Sequence, residues 1–134
     1  MHHWLVKSEP GTFSYERLEK EGMACWDGVR NYAARNHLKL MKKGDAVLFY
    51  HSGNSKSVVG VAKVVKEHYQ DPTTTEEAWV AVDLKAVKAL KNPVTLAAIK
   101  AEKSLKDIAL IRIGRLSVMP ITPAEFSTIS EMGK

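Results

Sequence analysis

Apolar and polar residues in the first part of the chain are spaced as expected for a short strand, a helix and a second strand. Residues 3–7 alternate weakly, which indicates a first strand, and residues 23–26 are typical of a short extended piece. Between them, Ser14 can cap a helix over about 15–21 that Gly22 would end.

A second helix is predicted over about 32–42, where apolar residues recur at helical spacing. Its apolar positions, at i, i+4 and i+7, are Ala34, Leu38 and Met41. A parallel basic stripe on the same helix is formed by Arg35, Lys39 and Lys42. Gly44-Asp45 indicates the turn that follows.

Beyond this turn the pattern becomes typical of strands. They are predicted over 46–51, 58–69, 79–90 and 115–121. Gly60 indicates a bulge or tight bend within the second of them, and Pro93 interrupts the chain after the third. The polar segment 71–77 between the second and the third is typical of a surface loop.

Short helices are predicted among and after the last strands. Thr95 can cap one, and Ser104 can cap another that reaches about Ile111. Thr122-Pro123-Ala124-Glu125 is a capping box with proline at the first helical position, so a final helix should follow it. Five or six strands with small helices between them predict a strongly bent α+β barrel. Without an internal repeat or a long linker, residues 1–134 are expected to form a single domain.

Positive charge is concentrated in two segments of this chain, whose formal net charge is +5. Residues 30–66 hold eight Lys and Arg against the single acid Asp45, and residues 85–115 hold eight against two acids. Concentrated positive charge attracts polyanions, of which nucleic acid is the commonest. From charge alone, a merely solvated lysine-rich surface is an equally good interpretation.

Composition and motifs exclude several other classes of function. No apolar run reaches the roughly 18 residues needed to span a membrane, and no signal peptide is evident. A lone cysteine, Cys25, permits no internal disulfide, which favours a reducing, cytoplasmic compartment; we interpret it as a packing residue. Phosphate-loop and dinucleotide fingerprints are absent, and no histidines have a metal-ligand spacing, so neither a cofactor nor a metal is expected.

Three polar segments remain as candidates for chemistry. Lys7-Ser8-Glu9-Pro10 ends the first strand, where its donors and acceptors can meet a base edge or simply form a helix-entry turn. Trp26-Asp27-Gly28-Val29-Arg30-Asn31 combines an aromatic surface with a guanidinium and an amide, although tryptophan is also a common core residue. Tyr50-His51-Ser52-Gly53-Asn54 ends an apolar strand with polar groups, as at the mouth of a small barrel.

Together these segments resemble the EVE domain family. The matching pieces, in family order, are 4–10, 26–32, 34–38, 44–45, 50–52, 59–62 and 115–118. The resemblance implies a PUA-like pseudo-barrel flanked by short helices, similar to the YTH domain that holds a methylated adenine. It also implies a base-binding pocket lined by Lys7, Ser8, Glu9, Trp26, Val29, Arg30, Asn31, His51, Ser52 and Ser117. Two residues depart from the family pattern: Ala33 and Met119 stand where relatives often carry glutamine.

The leading hypothesis is a monomeric binding module that recognises a modified base in DNA or RNA. A base would stack on Trp26, while the stripe of Arg35, Lys39 and Lys42 would hold the flanking phosphates. The alternative is an enzyme similar to the ASCH-type amidohydrolases that act on modified nucleosides, with Lys7 as base, Ser8 as nucleophile and Glu9 as acid. A protein-interaction module with a vestigial pocket is a third possibility.

Overall fold

Six strands form one mixed sheet in the computed structural model, which describes residues 1–134. The strands are β1 His3–Ser8, β2 Met23–Trp26, β3 Ala46–His51, β4 Ser57–Gln70, β5 Val80–Thr95 and β6 Val118–Ile121. Their order in the sheet is β2-β5-β4-β3-β1-β6. Only β1 and β3 are parallel, whereas every other neighbouring pair is antiparallel.

Five short helices and one 3₁₀ turn connect these strands. The helices are α1 Tyr15–Glu21, α2 Tyr32–Leu40, α3 Leu96–Ala101, α4 Ala109–Arg112 and α5 Pro123–Met132. The 3₁₀ turn covers Lys103–Leu105. None of these helices has the length and apolar character needed to cross a membrane. The mixture confirms the α+β fold class predicted from the strand and helix patterns.

Several local signals acted as predicted. Ser14 caps α1 by accepting a hydrogen bond from the Arg17 amide, and Gly22 ends the helix with a φ of 80°. Thr95 caps α3, and the predicted capping box around Thr122 is present at α5. These helix ends could be predicted from the sequence because each cap is a hydrogen bond between residues only a few positions apart.

Four predictions about element boundaries were wrong. The segment from 104 to 111 is not one helix, because the 3₁₀ turn, capped by Glu102, and α4 are separate. The last strand begins at Val118 instead of 115, and α2 ends at Leu40, so Lys42 lies beyond the helix. Strand β5 continues through Pro93, because a register shift leaves this proline without a β4 partner.

A buried carboxylate joins the first strand, the end of α2 and the start of β3. Asp45 is 3% exposed and accepts hydrogen bonds from Trp4 Nε1 at 2.9 Å and from the Lys42 amide at 3.0 Å. The His2 amide donates to the same carboxylate at 3.2 Å. Burial by itself raises the pKa of Asp45, but these hydrogen bonds outweigh it and lower that pKa below its ordinary value.

Gly60 lets an aromatic ring lie directly on the sheet. A Cβ added there would lie 2.6 Å from Cε2 of Tyr15, so only glycine fits beneath that ring. The Tyr15 hydroxyl donates to the Val61 carbonyl at 2.6 Å, which favours this position of the ring. Strand pairing also shifts register between Val58 and Gly60. The irregularity predicted at Gly60 is therefore confirmed, and its reason is close packing with α1.

A second buried carboxylate fixes the turn between β2 and α2. Asp71, whose side chain is 0% exposed, accepts hydrogen bonds from the Gly28 amide at 2.8 Å and Arg30 Nη1 at 2.9 Å. Its other oxygen accepts from the Thr73 amide and hydroxyl at 2.7 and 2.6 Å. The segment predicted as a surface loop thus begins with a buried anchor, because these donors satisfy its charge.

The Asp71 contacts predict acid sensitivity. Burial by itself raises the pKa of Asp71, but hydrogen bonds from Thr73, Arg30 and Gly28 outweigh it and lower the pKa from 3.8 to about 2. The resulting stabilisation, about 2 kcal/mol, should be fully present above about pH 4 and lost as the pH falls toward 2. Urea unfolding of the wild type and Asp71→Asn across this range should show the wild type losing its advantage. If the free energy of unfolding depends on pH in the same way in both proteins, Asp71 does not contribute this stabilisation.

Close packing at Gly60 predicts a cost for any side chain there. Gly60→Ala should lower the free energy of unfolding by about 1–3 kcal/mol, because the Tyr15 ring must move from its hydrogen-bonded position. Gly114→Ala is the matched control, since a Cβ there meets nothing within 4 Å. Denaturant unfolding of both variants measures the difference, and equal stability would show that the ring can shift without cost.

Candidate functional site

A cavity of about 840 Å³ lies where the curved sheet fails to close. Strands β2 and β6 end the sheet without pairing with each other, and the cavity is lined from both sides of that gap. The wall residues predicted from the sequence and found there are Lys7, Ser8, Glu9, Trp26, Val29, Arg30, Asn31 and Ser117. Segments distant in the chain therefore converge on one concave site.

Lys7 and Ser8 bring two polar groups from the end of β1 to this cavity. The Lys7 amide donates to the Ser117 carbonyl at 2.9 Å, and its ammonium donates to the Gly114 carbonyl at 2.8 Å. Burial lowers the pKa of Lys7 below its ordinary value. The Ser8 hydroxyl donates to the Phe13 carbonyl at 2.5 Å. Both side chains are consequently held in place by backbone acceptors.

Trp26 supplies an aromatic wall. It is half-buried, and its indole makes edge contacts with Phe13 and Phe49 at centroid distances of 6.0 and 5.4 Å. Phe49 is fully buried and keeps the indole against the core. The Trp26 indole N–H has no hydrogen-bond acceptor within the protein, although it is not buried from solvent. An aromatic surface and a donor are therefore both available to a ligand.

The turn after Trp26 contributes residues that are largely committed to the protein itself. The Arg30 guanidinium binds Asp71, Thr73 and the Val29 carbonyl, and it lies 5.5 Å from the centre of the Trp79 ring. Asn31 caps α2, because its side-chain oxygen accepts from the Ala34 amide at 3.0 Å. The Asn31 amino group makes no such contact and remains available.

Two predicted wall residues, His51 and Ser52, do not line the cavity. His51 Nε2 accepts a hydrogen bond from the Tyr15 amide at 3.0 Å, so this ring satisfies the first amide of α1, beside the Ser14 cap. Burial lowers the pKa of His51, while Glu16 and Glu9 oppose the shift. The Ser52 amide donates to the Ser8 carbonyl at 2.9 Å. The end of β3 therefore supports the site from behind it.

Sequence reasoning missed much of the opposite wall. The additional lining residues are Thr12, Phe13, Arg17, Glu21, Met23, Ala24, Cys25, Asp27 and Gly28. Asp27 and Gly28 lie inside the predicted segment 26–31, and the others lie between the two predicted segments, just before α1, on α1 or on β2. Adjacency to those segments was the signal that could have found them. Cys25, which the sequence analysis interpreted as a packing residue, is half-buried and lines the cavity. Its sulfur accepts a hydrogen bond from the Tyr69 hydroxyl at 3.0 Å. Burial raises the pKa of its thiol.

The predicted basic stripe divides into three different environments. Arg35 is held by the Ala78 carbonyl at 3.2 Å and by Asn36 Oδ1 at 2.8 Å. Lys42 lies 3.9 Å from Glu67 and past the end of α2. Lys39 is exposed and forms no ion pair. Of the three, Lys39 is the one fully available to an external phosphate.

The arrangement of Lys7, Ser8 and Glu9 does not resemble an activated nucleophile. The Ser8 hydroxyl donates to the Phe13 carbonyl and the Lys7 ammonium to the Gly114 carbonyl, so no hydrogen bond joins base and nucleophile. No group of three or more His, Cys, Asp or Glu side chains is arranged to hold a metal ion.

The two residues that stand where EVE relatives often carry glutamine do not line the cavity. Met119 is fully buried, and Ala33 lies outside the cavity wall.

Comparison with known proteins places this geometry in a family. The EVE domain matches residues 2–132. Human thymocyte nuclear protein 1 is 37% identical, over 95% of this chain and 72% of the human protein. A Rhodopseudomonas palustris protein solved by NMR is 45% identical, with a TM-score of 0.94 over 99% of this chain and 93% of that one.

Two further solved structures bear on the site and on the fold. The human protein has been crystallised in complex with DNA containing 5-methylcytosine; it is 36% identical, with a TM-score of 0.91 over 100% of this chain and 98% of that one. An ASCH protein from Zymomonas mobilis covers 99% of this chain and 96% of its own at a TM-score of 0.63 but 11% identity, so it shares the PUA-like fold alone. The chain belongs to the EVE domain family.

Proposed function

We propose that this chain binds nucleic acid and holds one modified nucleobase, of the 5-methylcytosine class, in the cavity between β1 and β2. The observation that carries the proposal is the Trp26 indole, which offers the cavity an aromatic surface and a donor without a protein partner. Support comes from the human relative, which was crystallised with DNA containing 5-methylcytosine. The base would leave its stack to enter, as in other proteins that read single bases.

Charge balance favours a base over a phosphate as the occupant of the cavity. Three cationic side chains line it, Lys7, Arg17 and Arg30, and three acidic ones, Glu9, Glu21 and Asp27. Arg17 and Glu21 already form an ion pair at 2.7 Å. A cavity without net charge has little attraction for a phosphate, whereas its mixed donors and acceptors suit the edge of a base.

The apolar part of the wall supports preference for a methylated base. Phe13, Met23, Ala24 and Val29 line the cavity together with Trp26. A methyl group buried against such residues contributes about 0.8 kcal/mol, which corresponds to a preference of about fourfold. The amidohydrolase alternative has weaker support, since the Ser8 hydroxyl and the Lys7 ammonium donate to different carbonyls.

Replacing the aromatic wall should remove base recognition. Trp26→Ala should weaken binding of single-stranded DNA with a central 5-methylcytosine by about tenfold, because stacking on an aromatic side chain contributes about 1–3 kcal/mol per base. Trp26→Phe, which keeps an aromatic surface, should retain most of the affinity. Fluorescence anisotropy with matched cytosine and 5-methylcytosine oligonucleotides measures both quantities. Equal wild-type affinity for the two, across a panel of modifications, would refute the modified-base proposal.

Lys39 should contribute affinity without base preference. Lys39→Gln should weaken binding of methylated and unmethylated oligonucleotides equally, and it should reduce the slope of log affinity against log salt by about 0.7. Lys100→Gln is the matched control, since that lysine is equally exposed and unpaired but lies on α3 instead of α2. Anisotropy titrations over a range of salt concentrations provide the slopes. If log affinity falls with log salt at the same slope in both variants, the phosphates of the bound strand do not contact α2.

A further inference from the structure

Four side chains form a stack of contacts beside the cavity, in the order Arg30, Trp79, Tyr32 and Arg35. The Arg30 guanidinium lies over the Trp79 ring at 5.5 Å, and Trp79 packs on Tyr32 with a centroid distance of 5.0 Å and an interplanar angle of 32°. The Arg35 guanidinium lies over the Tyr32 ring at 5.0 Å. Arg30 belongs to the cavity wall, whereas Tyr32 does not. The stack therefore leads from the cavity to the outer surface.

The outer end of this stack is exposed, and hydrogen bonds hold the side chain of Arg35 beside it. Tyr32 keeps 63% of its surface in solvent, while Trp79 beneath it is buried. Arg35 is held by the Ala78 carbonyl and by two hydrogen bonds to Asn36 Oδ1. A large exposed aromatic residue whose partners are already fixed loses little conformational entropy when a ligand contacts it. Core packing alone does not explain why the Tyr32 ring lies on the surface.

We propose that Tyr32 and Arg35 form a second stacking site, which takes the nucleobase next to the one held in the cavity. This inference rests on the proposed function of the cavity. Tyr32 follows directly after the wall residues Arg30 and Asn31, so this exposed ring lies next to the cavity wall, where a neighbouring base can contact it. Tyrosine rings and guanidinium planes are both surfaces on which unpaired bases stack.

Charge along α2 favours a nucleic acid as the partner of this site over an aromatic-binding protein surface. Tyr32, Arg35 and Lys39 are spaced at i, i+3 and i+7 and so share one face of the helix. The helix contains no acidic residue. Stacking at Tyr32 would thus be followed along the same face by the exposed ammonium of Lys39, which suits the next phosphate.

A fluorescent base analogue can test the second site directly. Two single-stranded DNA oligonucleotides carry a central 5-methylcytosine and 2-aminopurine, one on its 5′ side and one on its 3′ side. Stacking on Tyr32 should quench 2-aminopurine emission in one of the two on binding. Tyr32→Ala should restore that emission and weaken binding about tenfold, with the preference for 5-methylcytosine over cytosine unchanged. Tyr32→Phe, which keeps the ring, should behave as the wild type does.

The outcomes separate this inference from the function of the cavity. If Tyr32→Ala binds and quenches as the wild type does, the second site is refuted while the cavity proposal stands. If Tyr32→Ala also removes the preference for 5-methylcytosine, Tyr32 belongs to the cavity and is not a second site. Loss of preference should instead occur in Trp26→Ala. If the wild type binds neither oligonucleotide, both proposals are refuted, and the stack is then open to a protein partner.

Discussion

The buried carboxylate of Asp71 is the contact on which the geometry of the site depends. It holds the Gly28 amide and the Arg30 guanidinium, and so fixes the turn that carries one wall of the cavity. Because an unpaired buried charge is unfavourable by several kcal/mol, the turn and the segment after β4 can only form together. The same contact sets the position of Arg30 over Trp79, from which the stack through Tyr32 to Arg35 continues.

The cavity itself follows from the order of the strands. A sheet that curls but ends in two unpaired edges leaves a gap, and in this chain β2 and the loop before β6 border it. Edge strands are ordinarily a hazard, because their free backbone groups invite pairing with other chains. Here β2 and β6 have four residues each, and side chains of β2 face the cavity. Because both edges are this short, neither offers a long surface for strand addition.

Within the site, the polar residues predicted from sequence divide into those that line the cavity and those that hold the scaffold. Lys7 and Trp26 do reach the cavity, as expected from polar residues at a strand end and an aromatic residue beside a turn. His51 and Ser52 had the same signature but do not line the cavity: the His51 ring accepts from the Tyr15 amide, and the Ser52 backbone amide donates to the Ser8 carbonyl. Polarity at a strand end predicts that a group needs a partner, and it does not say whether that partner is a ligand or the protein.

The amino-acid sequence by itself determined the order of the strands, the helix caps at Ser14, Thr95 and Thr122, and the membership of the EVE family, because these depend on residues adjacent in the chain or on ordered motifs. Only the tertiary structure decided which side chains are free to bind. Asp71 lies 43 residues from Gly28, and His51 lies 36 from Tyr15. Hydrogen bonds between such distant residues have no local pattern, so the commitment of Arg30, Asp71 and His51 to the scaffold emerged only when folding brought their partners together.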